Sequence, residues 1–506
     1  MHADEAVQAS ITRQLWWKGS YRYNPDEFHG PTLPYASLGS LAIERPKDFA
    51  ATTPVTYRIV PALFGAALIL AVALLGDGLG GWAAWAGAGM LAISPSLVFY
   101  SRYYIHEMLL AAFTLATAAV AWRYLKTKRL VWCLAAGVFL GLMQATKETA
   151  VLTYLASAVG AALTFGWEKI TGSRDASARP EASEGRVLGE ADNARSIAVV
   201  SLLVMGVAAV VAAGLYSSLL ANPRGPVDAV LTYLPWIGRA QGHSPHVHAW
   251  YYYLQILGWW RAGEGPVWSE AVILILALVG FAGGLRGSAL LLPGASPRLV
   301  RYLGFSTAAL SLIYAAIPYK TPWCLVQFHI GQVLLAGVGA VAAVRLVRGG
   351  LPKGTVLLVL VLAAAHLAWQ TYRSSFLMPA DPQNPYVYVP TLPDAERLER
   401  DIEELALASP EEYAVPVKVI WNNTYYWPLP WYLRRLERVG FWAQIPDDPS
   451  AAIVVAAPEH DTALTARLDA THLMTGFYGL RPGVLAQLWV RMDLWEAHLR
   501  RLGRIE

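Results

Sequence analysis

Long apolar segments dominate the middle of the chain. Ten of them predict membrane-spanning helices, at residues 57–76, 79–99, 106–124, 130–146, 149–166, 196–219, 268–285, 302–318, 324–344 and 354–373. Each is close to the roughly 20 residues that a helix needs to cross the hydrocarbon core of a bilayer. In lipid, segments of this length satisfy their backbone hydrogen bonds as α-helices. The pattern therefore predicts an all-α polytopic membrane bundle.

The residues on either side of this bundle have a different pattern. Residues 1–56 are polar and aromatic and predict a first extracytoplasmic loop. The elements predicted after the bundle are helices at 394–408, 464–468 and 485–499 and short buried strands at 417–421 and 452–456. Alternating strands and helices indicate a small C-terminal α/β domain. Three domains are thus predicted, at 1–56, 57–373 and 374–506.

Composition supports a membrane protein and excludes other classes. Only 15% of the 506 residues are charged, against about a quarter in a soluble domain, and the mean hydropathy is +0.37. The net charge of +4 is too small to indicate a nucleic-acid partner. Cys133 and Cys324 both lie at or in apolar segments, which argues against a structural disulfide.

Basic residues predict the orientation of the bundle. One set of loops holds Arg123, Lys126, Lys128, Arg129, Lys169, Arg174, Arg179, Arg186, Arg195, Arg286, Arg298, Arg301, Arg345, Arg348 and Lys353. The opposite loops hold Arg102, Lys147, Arg224, Arg239, Arg261 and Lys320. Cytoplasmic loops carry the excess of lysine and arginine, so the first set is cytoplasmic. Residues 1–56, 220–267 and 374–506 are then expected outside a cell membrane.

This topology leaves a polar N-terminal segment outside the membrane. Translocating about fifty residues without a preceding helix is unusual, since orientation is set mainly by the first helices. We therefore expect a further helix encoded immediately upstream of Met1. A chain that starts outside the membrane is the alternative.

Polar residues collect at the outer ends of the predicted helices. They are Asp4, Glu5 and His29, then Arg102, His106 and Glu107, then Lys147 and Glu148, then His243, His246 and His248, and finally Tyr319, Lys320 and Trp323. Because all five segments fall on one predicted side, they indicate a single extracytoplasmic cleft. The three histidines of the fourth segment could be metal ligands, but their spacing fits no strong zinc pattern.

Asp4 and Glu107 are the strongest candidates for chemistry. A positioned carboxylate can deprotonate an acceptor hydroxyl, and two carboxylates could hold a divalent ion such as Mg²⁺ or Mn²⁺. Lys147, Lys320 and Arg102 could bind a phosphate. Simpler explanations stay open, because Glu107 could serve only the helix dipole and Lys147 could form a local ion pair with the adjacent Glu148.

Four motifs carry a family resemblance. They are His2-Ala3-Asp4-Glu5-Ala6, Phe28-His29-Gly30-Pro31, Thr146-Lys147-Glu148-Thr149 and Tyr319-Lys320-Thr321-Pro322-Trp323. Residues 1–373 with these motifs resemble the GT-C superfamily, the polytopic glycosyltransferases that use polyprenyl-phosphate-linked sugars. Its members include protein O-mannosyltransferases, the lipid A aminoarabinose transferase and oligosaccharyltransferases. The chain is more closely similar to a family named for association with flippase activity, found beside archaeal N-glycosylation genes.

The resemblance implies a fold and a set of roles. It implies a GT-C-like bundle with Asp4 of the Asp4-Glu5 pair as catalytic carboxylate and Glu107 as second acidic residue. The substrate-binding residues expected beside them are His29, Arg102, His106, Lys147, Glu148, His248, Tyr319, Lys320 and Trp323. GT-C proteins place a transmembrane helix before the Asp-Glu loop, and this chain departs from that pattern.

The leading hypothesis is a membrane glycosyltransferase that moves a sugar from polyprenyl phosphate to an extracytoplasmic hydroxyl on a lipid, glycan or protein. A non-catalytic partner in flipping or presenting lipid-linked sugars is one alternative. A transporter is another, although the chain shows no internal repeat of the kind common in secondary transporters.

Overall fold

The structure is a computed structural model that describes residues 1–19, 21–25, 29–172, 190–240, 246–287 and 292–506. The chain forms two compact units. The first unit contains Met1–Gly19, Leu38–Tyr57 and Val389–Glu506, and the second contains Ser20–Ser37 and Arg58–Tyr388. The N-terminal segment that the sequence predicts as one loop is therefore shared between the units.

Helices account for most of the described chain. In chain order they are α1 (Ala3–Lys18), α2 (Thr32–Glu44), α3 (Pro54–Ala71), α4 (Gly76–Leu79), α5 (Gly81–Ile93), α6 (Pro95–Ser101), α7 (Glu107–Thr127), α8 (Leu130–Gln144), α9 (Ala150–Thr171), α10 (Glu190–Tyr216), α11 (Gly225–Leu231), α12 (Tyr233–Ala240), α13 (Tyr252–Gly258), α14 (Ala271–Arg286), α15 (Pro297–Ala316), α16 (Val326–Leu346), α17 (Gly350–Tyr372), α18 (Pro393–Ala406), α19 (Leu429–Tyr432), α20 (Asp461–Leu468) and α21 (Met492–Arg501). The predicted first loop contains two of them, α1 and α2, which the sequence pattern did not reveal.

Each of the ten predicted spans coincides with an apolar helix, and the chain is a multi-pass membrane protein. Within the described residues, seven helices are long and apolar enough to cross a bilayer alone: Pro54–Leu79, Glu107–Thr127, Ala150–Thr171, Ile197–Tyr216, Pro297–Ala316, Pro322–Leu346 and Gly350–Leu377. The predicted spans 130–146 and 268–285 correspond to the shorter helices α8 and α14. The remaining span is broken into α5 and α6, which meet at 61°.

The break between α5 and α6 has a local cause. Ser94 has extended backbone angles and caps α6 by accepting from the Leu97 N–H, and Pro95 occupies the first helical position. Proline lacks the N–H that a continuous helix would need there, so the chain starts a new helix.

The centre of the second unit is α16, which packs tightly on α14. Glycine makes this approach possible. A Cβ atom added to Gly339 would lie 1.8 Å from the carbonyl oxygen of Leu276, and one added to Gly280 would lie 2.1 Å from that of Leu335. Small residues of this kind let helix backbones pack closely in membranes.

The C-terminal part of the first unit is an α/β domain. Its strands are β1 (Val417–Ile420), β2 (Val439–Trp442), β3 (Ile453–Ala456), β4 (His472–Arg481) and β5 (Val484–Arg491). They form a sheet in the order β2-β1-β3-β5-β4, parallel from β2 to β3 and antiparallel from β3 to β4. The predicted helix at 394–408 corresponds to α18 and buries Leu398, Ile402 and Leu405, as its period indicates.

One predicted element of this domain is wrong. Residues 485–499 were expected to be helical, but 485–491 belong to β5, and α21 begins only at Met492. Gly483 has a φ of +77° and lies in the turn that folds β5 back on β4. Pairing with β3 and β4 overrides the local helical preference of the leucines, which is the usual limit of propensity arguments.

The contact between α14 and α16 gives a stability prediction. Gly339→Ala should lower the midpoint of thermal unfolding in detergent by several degrees, because the added Cβ meets a backbone oxygen that cannot rotate away. Overpacking of this kind typically costs about 1–3 kcal/mol. Gly206→Ala in α10 is the matched control, since its Cβ would meet nothing within 4 Å. Equal midpoints for the two variants would contradict the close packing.

Candidate active site

The Asp4-Glu5 pair lies in the first turn of α1, in the first unit. The two carboxylates have different surroundings. The Glu5 side chain is fully buried and accepts a hydrogen bond of 2.8 Å from the His2 backbone N–H, and the His2 ring accepts one from the Asp4 N–H. This reciprocal arrangement is a capping box, which satisfies backbone donors at a helix start. Asp4 keeps 52% of its side chain exposed.

The two residues therefore have separate uses. Glu5 stabilises the start of α1, because its carboxylate is used by the hydrogen bond to the capping residue. Asp4 presents an accessible carboxylate at the positive end of the helix dipole, where a negative charge is favoured. Of the Asp4-Glu5 pair predicted to be catalytic, only Asp4 keeps an exposed carboxylate.

The second unit contains a buried ionic cluster, formed by His29, Glu107, Lys147 and Glu148. Lys147 Nζ donates to Glu107 Oε1, and both side chains are buried. His29 Nδ1 and Glu148 Oε2 are 2.8 Å apart. The sequence also allows a local ion pair between Lys147 and Glu148, but each pairs instead with a residue far away in the sequence. Each carboxylate lies next to a helix start, Glu107 in the first turn of α7 and Glu148 just before α9.

Backbone contacts around Gly30 hold this cluster together. Gly30 N–H donates to the Thr146 carbonyl at 3.1 Å, and His106 Nε2 donates to the Gly30 carbonyl at 3.0 Å. A Cβ on Gly30 would lie 2.1 Å from the Ala145 carbonyl oxygen. Only glycine allows His29-Gly30-Pro31 to lie this close to the segment that carries Lys147, which explains the conformational need for glycine at this position. Phe28 itself lies outside the described residues.

The cluster sets the charge of its members. Burial alone would lower the pKa of Lys147, but the Glu107 carboxylate outweighs it and raises the Lys147 pKa. Burial alone would raise the pKa of Glu148, but the adjacent His29 outweighs it and lowers the Glu148 pKa. Glu148 Oε1 is buried and has no hydrogen-bond partner among the described residues. A buried carboxylate oxygen without a donor is costly, so this atom is suited to accept from a hydroxyl.

A second group of residues in the same unit lies around Lys320. It joins two of the five predicted outer segments, the one with His246 and His248 and the one with Tyr319 and Lys320. Val247 and Tyr319 form an isolated antiparallel bridge, and the Lys320 N–H donates to the His246 carbonyl at 2.9 Å. Lys320 Nζ donates to the carbonyls of His248 and Ile317. Burial lowers the pKa of Lys320.

The segments that contact this lysine also carry packed aromatic rings. The His248 and Tyr252 rings stack with centroids 4.2 Å apart, and Trp323 and His246 each contact the Tyr388 ring. His243 lies outside the described residues, so the three predicted histidines cannot be compared as a set. Stacked rings beside a cation are typical of a site for a sugar or a phosphorylated group.

Arg102, the third predicted phosphate-binding residue, follows the last turn of α6. Its guanidinium donates to the Ser375 carbonyl and lies 4.3 Å from the centroid of the Phe376 ring. Arg102 and Lys320 both contact backbone carbonyls, whereas the charge of Lys147 is neutralised by Glu107. Lys147 is therefore the weakest of the three as a phosphate ligand.

The residues predicted to hold a metal ion belong to different units, Asp4 to the first and Glu107 to the second. Within the part of the chain that the structure describes, no three His, Cys, Asp or Glu side chains are grouped so as to hold a metal. Glu107 is in addition paired with Lys147. The metal ion stays a prediction, and we derive no chemical step through it.

Sequence reasoning missed a further buried carboxylate, Glu270. It accepts from Ser94 Oγ at 2.5 Å, the Ser96 N–H at 3.1 Å, Tyr386 OH at 2.9 Å and His329 Nε2 at 3.1 Å. Its side chain is fully buried. A glutamate at the start of a predicted span, with a Ser-Pro-Ser segment at the end of another, was the available signal.

Comparisons with known proteins agree with the predicted fold. The family model described as dolichyl-phosphate-mannose-protein mannosyltransferase matches residues 39–177, about a quarter of the chain. No curated protein sequence matches the chain significantly.

Solved structures match almost the whole chain. ArnT from Cupriavidus metallidurans in the apo state has a TM-score of 0.58 at 14% identity, over 96% of this chain and 93% of that one. The same enzyme bound to undecaprenyl phosphate has a TM-score of 0.57 at 15% identity, with the same coverage. The apo oligosaccharyltransferase of Archaeoglobus fulgidus has a TM-score of 0.55 at 12% identity, over 92% of this chain and 67% of that one. The resemblance to the GT-C superfamily and the predicted fold class are confirmed, and the closer likeness to the flippase-associated family stays a prediction.

The Glu107–Lys147 pair gives a prediction that a double variant can test. Lys147→Met should destabilise the protein by about 3–5 kcal/mol, because it leaves a buried carboxylate uncompensated. Adding Glu107→Gln should recover much of this loss, since no isolated charge remains. Lys169→Met, at an exposed position in the last turn of α9, is the control. Unfolding in detergent measures all four proteins, and a double variant no more stable than Lys147→Met would disprove the coupling.

The lowered pKa of Glu148 predicts a loss of stability in acid. A carboxyl group with a lower pKa in the folded state stabilises it fully above the unfolded value of about 4.3 and loses this effect as the pH falls through the folded value. Thermal unfolding followed from pH 7 to pH 3 should therefore show a smaller acid-side decline for Glu148→Gln than for the unchanged protein. Glu264→Gln, at an exposed site of the same unit, should leave the decline as it is. Parallel curves for all three proteins would contradict the assignment.

Proposed function

We propose that this protein is a membrane glycosyltransferase that transfers a sugar from a polyprenyl-phosphate donor to a hydroxyl group on the outer side of the membrane. The observation that carries the proposal is the fold shared over 96% of the chain with ArnT, one of whose structures holds undecaprenyl phosphate. The match to the mannosyltransferase family model over residues 39–177 supports the same reaction class.

The chemistry of the chain fits a lipid-linked donor better than a nucleotide sugar. The sequence contains no glycine-rich loop on a strand–helix unit of the kind that cradles a nucleotide. With a lipid donor, the acceptor oxygen bonds to the anomeric carbon as the bond from that carbon to the phosphate oxygen breaks. The phosphate leaves with the electron pair, and the acceptor proton passes to a base. Direct displacement of this kind inverts the anomeric configuration.

We assign the role of Asp4 from its exposure and the roles of the other, more buried residues from their charge and hydrogen-bond partners. Asp4, with an accessible carboxylate, is the base or orients the acceptor. Lys320 and Arg102 are the phosphate ligands, because both carry positive charge and contact only backbone carbonyls and an aromatic ring in the described chain. Lys147 pairs with Glu107 and holds it in place, and Glu148 Oε1 is suited to accept from a sugar hydroxyl.

The experiment uses the purified full-length protein in lipid nanodiscs with undecaprenyl-phosphate hexoses that carry a labelled sugar. Release of undecaprenyl phosphate and transfer of the label to delipidated cell-envelope material are both measured. Glu107→Gln should reduce transfer, as the second carboxylate of the proposal. Binding of the lipid without any release of the sugar would favour the alternative, a non-catalytic protein that helps to flip or present lipid-linked sugars. Undiminished transfer in both Asp4→Asn and Glu107→Gln would disprove the catalytic roles assigned to these two carboxylates.

The different surroundings of Asp4 and Glu5 predict different phenotypes. Asp4→Asn should lower kcat by about 100-fold or more without changing the thermal unfolding midpoint, since a general base contributes roughly 10²–10⁴ in rate. Glu5→Ala should instead lower stability by about 1 kcal/mol, the usual value of a helix cap, with a smaller loss of kcat than Asp4→Asn. Asp447→Asn, exposed in the same unit, is the control. A Glu5→Ala variant that is as stable as the unchanged protein and inactive would reverse the two roles.

A further inference from the structure

The C-terminal α/β domain places a strand end near the start of α1, within the first unit. The Thr391 hydroxyl donates to the Met1 carbonyl at 2.9 Å, and the next residue, Leu392, donates its N–H to the Leu480 carbonyl at 3.0 Å. Arg481, the last residue of β4, follows Leu480 directly. Two hydrogen bonds through one short segment thus connect the end of β4 to the helix that carries Asp4.

The side chain of Arg481 is fixed by Tyr425. Its Nη2 donates to the Tyr425 carbonyl at 2.9 Å, and the guanidinium carbon lies 5.7 Å from the centroid of the Tyr425 ring. Arg481 Nε is buried and has no hydrogen-bond partner among the described residues. Leaving a buried guanidinium donor unsatisfied costs free energy, so these contacts alone do not explain an arginine here.

Arg481 also lacks the partner that a structural arginine would have. Among the described residues, no carboxylate lies within 4.0 Å of its guanidinium, whereas Arg491, at the opposite end of the same hairpin, pairs with Asp493 at 2.6 Å. Burial lowers the pKa of Arg481, and the negative charge of Asp4 opposes this shift. Arg481 therefore forms no ion pair among the described residues, although it follows Leu480, which contacts the segment bound to Met1.

We propose that Arg481 is a substrate-binding residue of the α/β domain, which binds an anionic group of a substrate beside Asp4. This inference rests on the proposed function, in which Asp4 is the base. The planar guanidinium fork recognises phosphate or carboxylate oxygens through two parallel hydrogen bonds, and it stays charged at any physiological pH. The group is the phosphate of the lipid donor or an acidic group of the acceptor.

The position on a hairpin suits this role. Arg481 ends a ten-residue strand whose partner β5 starts at Val484, so the guanidinium is held by a rigid element. Binding groups on such elements keep their geometry better than groups on loops. The α/β domain then contributes directly to substrate recognition.

The test compares Arg481→Gln and Arg481→Lys with Arg438→Gln. Arg438 is an exposed arginine that immediately precedes β2, the edge strand of the same sheet, and pairs with Glu411. Steady-state kinetics are measured with the full-length protein, first varying the undecaprenyl-phosphate hexose and then the acceptor material. Arg481→Gln should raise the KM of one substrate by about tenfold or more, the usual loss for a charge-assisted hydrogen bond. Arg481→Lys should have a smaller effect, because it keeps the charge and loses the fork. The substrate whose KM rises identifies the source of the anionic group.

A direct binding measurement separates this inference from the proposed function. The affinities for undecaprenyl phosphate and for the acceptor material are measured for each variant, with the thermal midpoint as the check on folding. A protein that transfers no sugar, but whose affinity for this lipid falls in Arg481→Gln, would refute the function and keep the binding residue. For an active protein, kinetics equal to those of Arg438→Gln would overturn the inference. For an inactive protein, an unchanged affinity for both undecaprenyl phosphate and the acceptor material would overturn it.

Discussion

A charge buried among membrane helices must be neutralised by a partner, and this constraint governs the second unit. The desolvation penalty is several kcal/mol per ion, and it is tolerated only where an opposite charge and hydrogen bonds compensate it. Lys147 forms an ion pair with Glu107, and the carboxylates of Glu148 and Glu270 are hydrogen-bonded by the rings of His29 and His329. Each pair joins segments that are far apart in the sequence, so satisfying the charges also fixes which helix ends lie together.

Neutralisation limits what these residues can do for a substrate. A lysine that compensates a buried glutamate cannot give the same charge to a phosphate without leaving that glutamate isolated. The motif lysine Lys147 is therefore best understood as the residue that compensates and orients Glu107. Charges without a carboxylate partner in the described chain, such as Lys320 and Arg102, are the ones available to a ligand. Arg481 in the α/β domain is likewise a positive charge without a carboxylate partner among the described residues.

The sequence predicted the apolar helices well because their signal is local. Twenty consecutive apolar residues have few alternatives in a bilayer, so each predicted span coincides with a helix. Residues 485–491 show the opposite case, since a leucine-rich stretch became a strand through its pairing with β3 and β4. The candidate residues were also found readily, because polar side chains are few in an apolar chain. Their partners were not, because Glu107 and Lys147 are 40 residues apart and Ser94 and Glu270 are 176 apart. No local pattern encodes contacts of that range.

The Asp4-Glu5 pair shows why a motif alone does not assign a role. The local sequence does not distinguish the two adjacent carboxylates, and only the family resemblance favours Asp4 over Glu5. Helix geometry separates them. The side chain at the third helical position can reach back to the backbone N–H of the capping residue. Glu5 occupies that position, and His2 is the capping residue. Asp4, one residue earlier, points away from that bond and keeps its exposure. Removing the Glu5 cap would unwind the first turn of α1, and with it the placement of Asp4. The buried carboxylate therefore acts on the reaction only through the position that it gives to its neighbour.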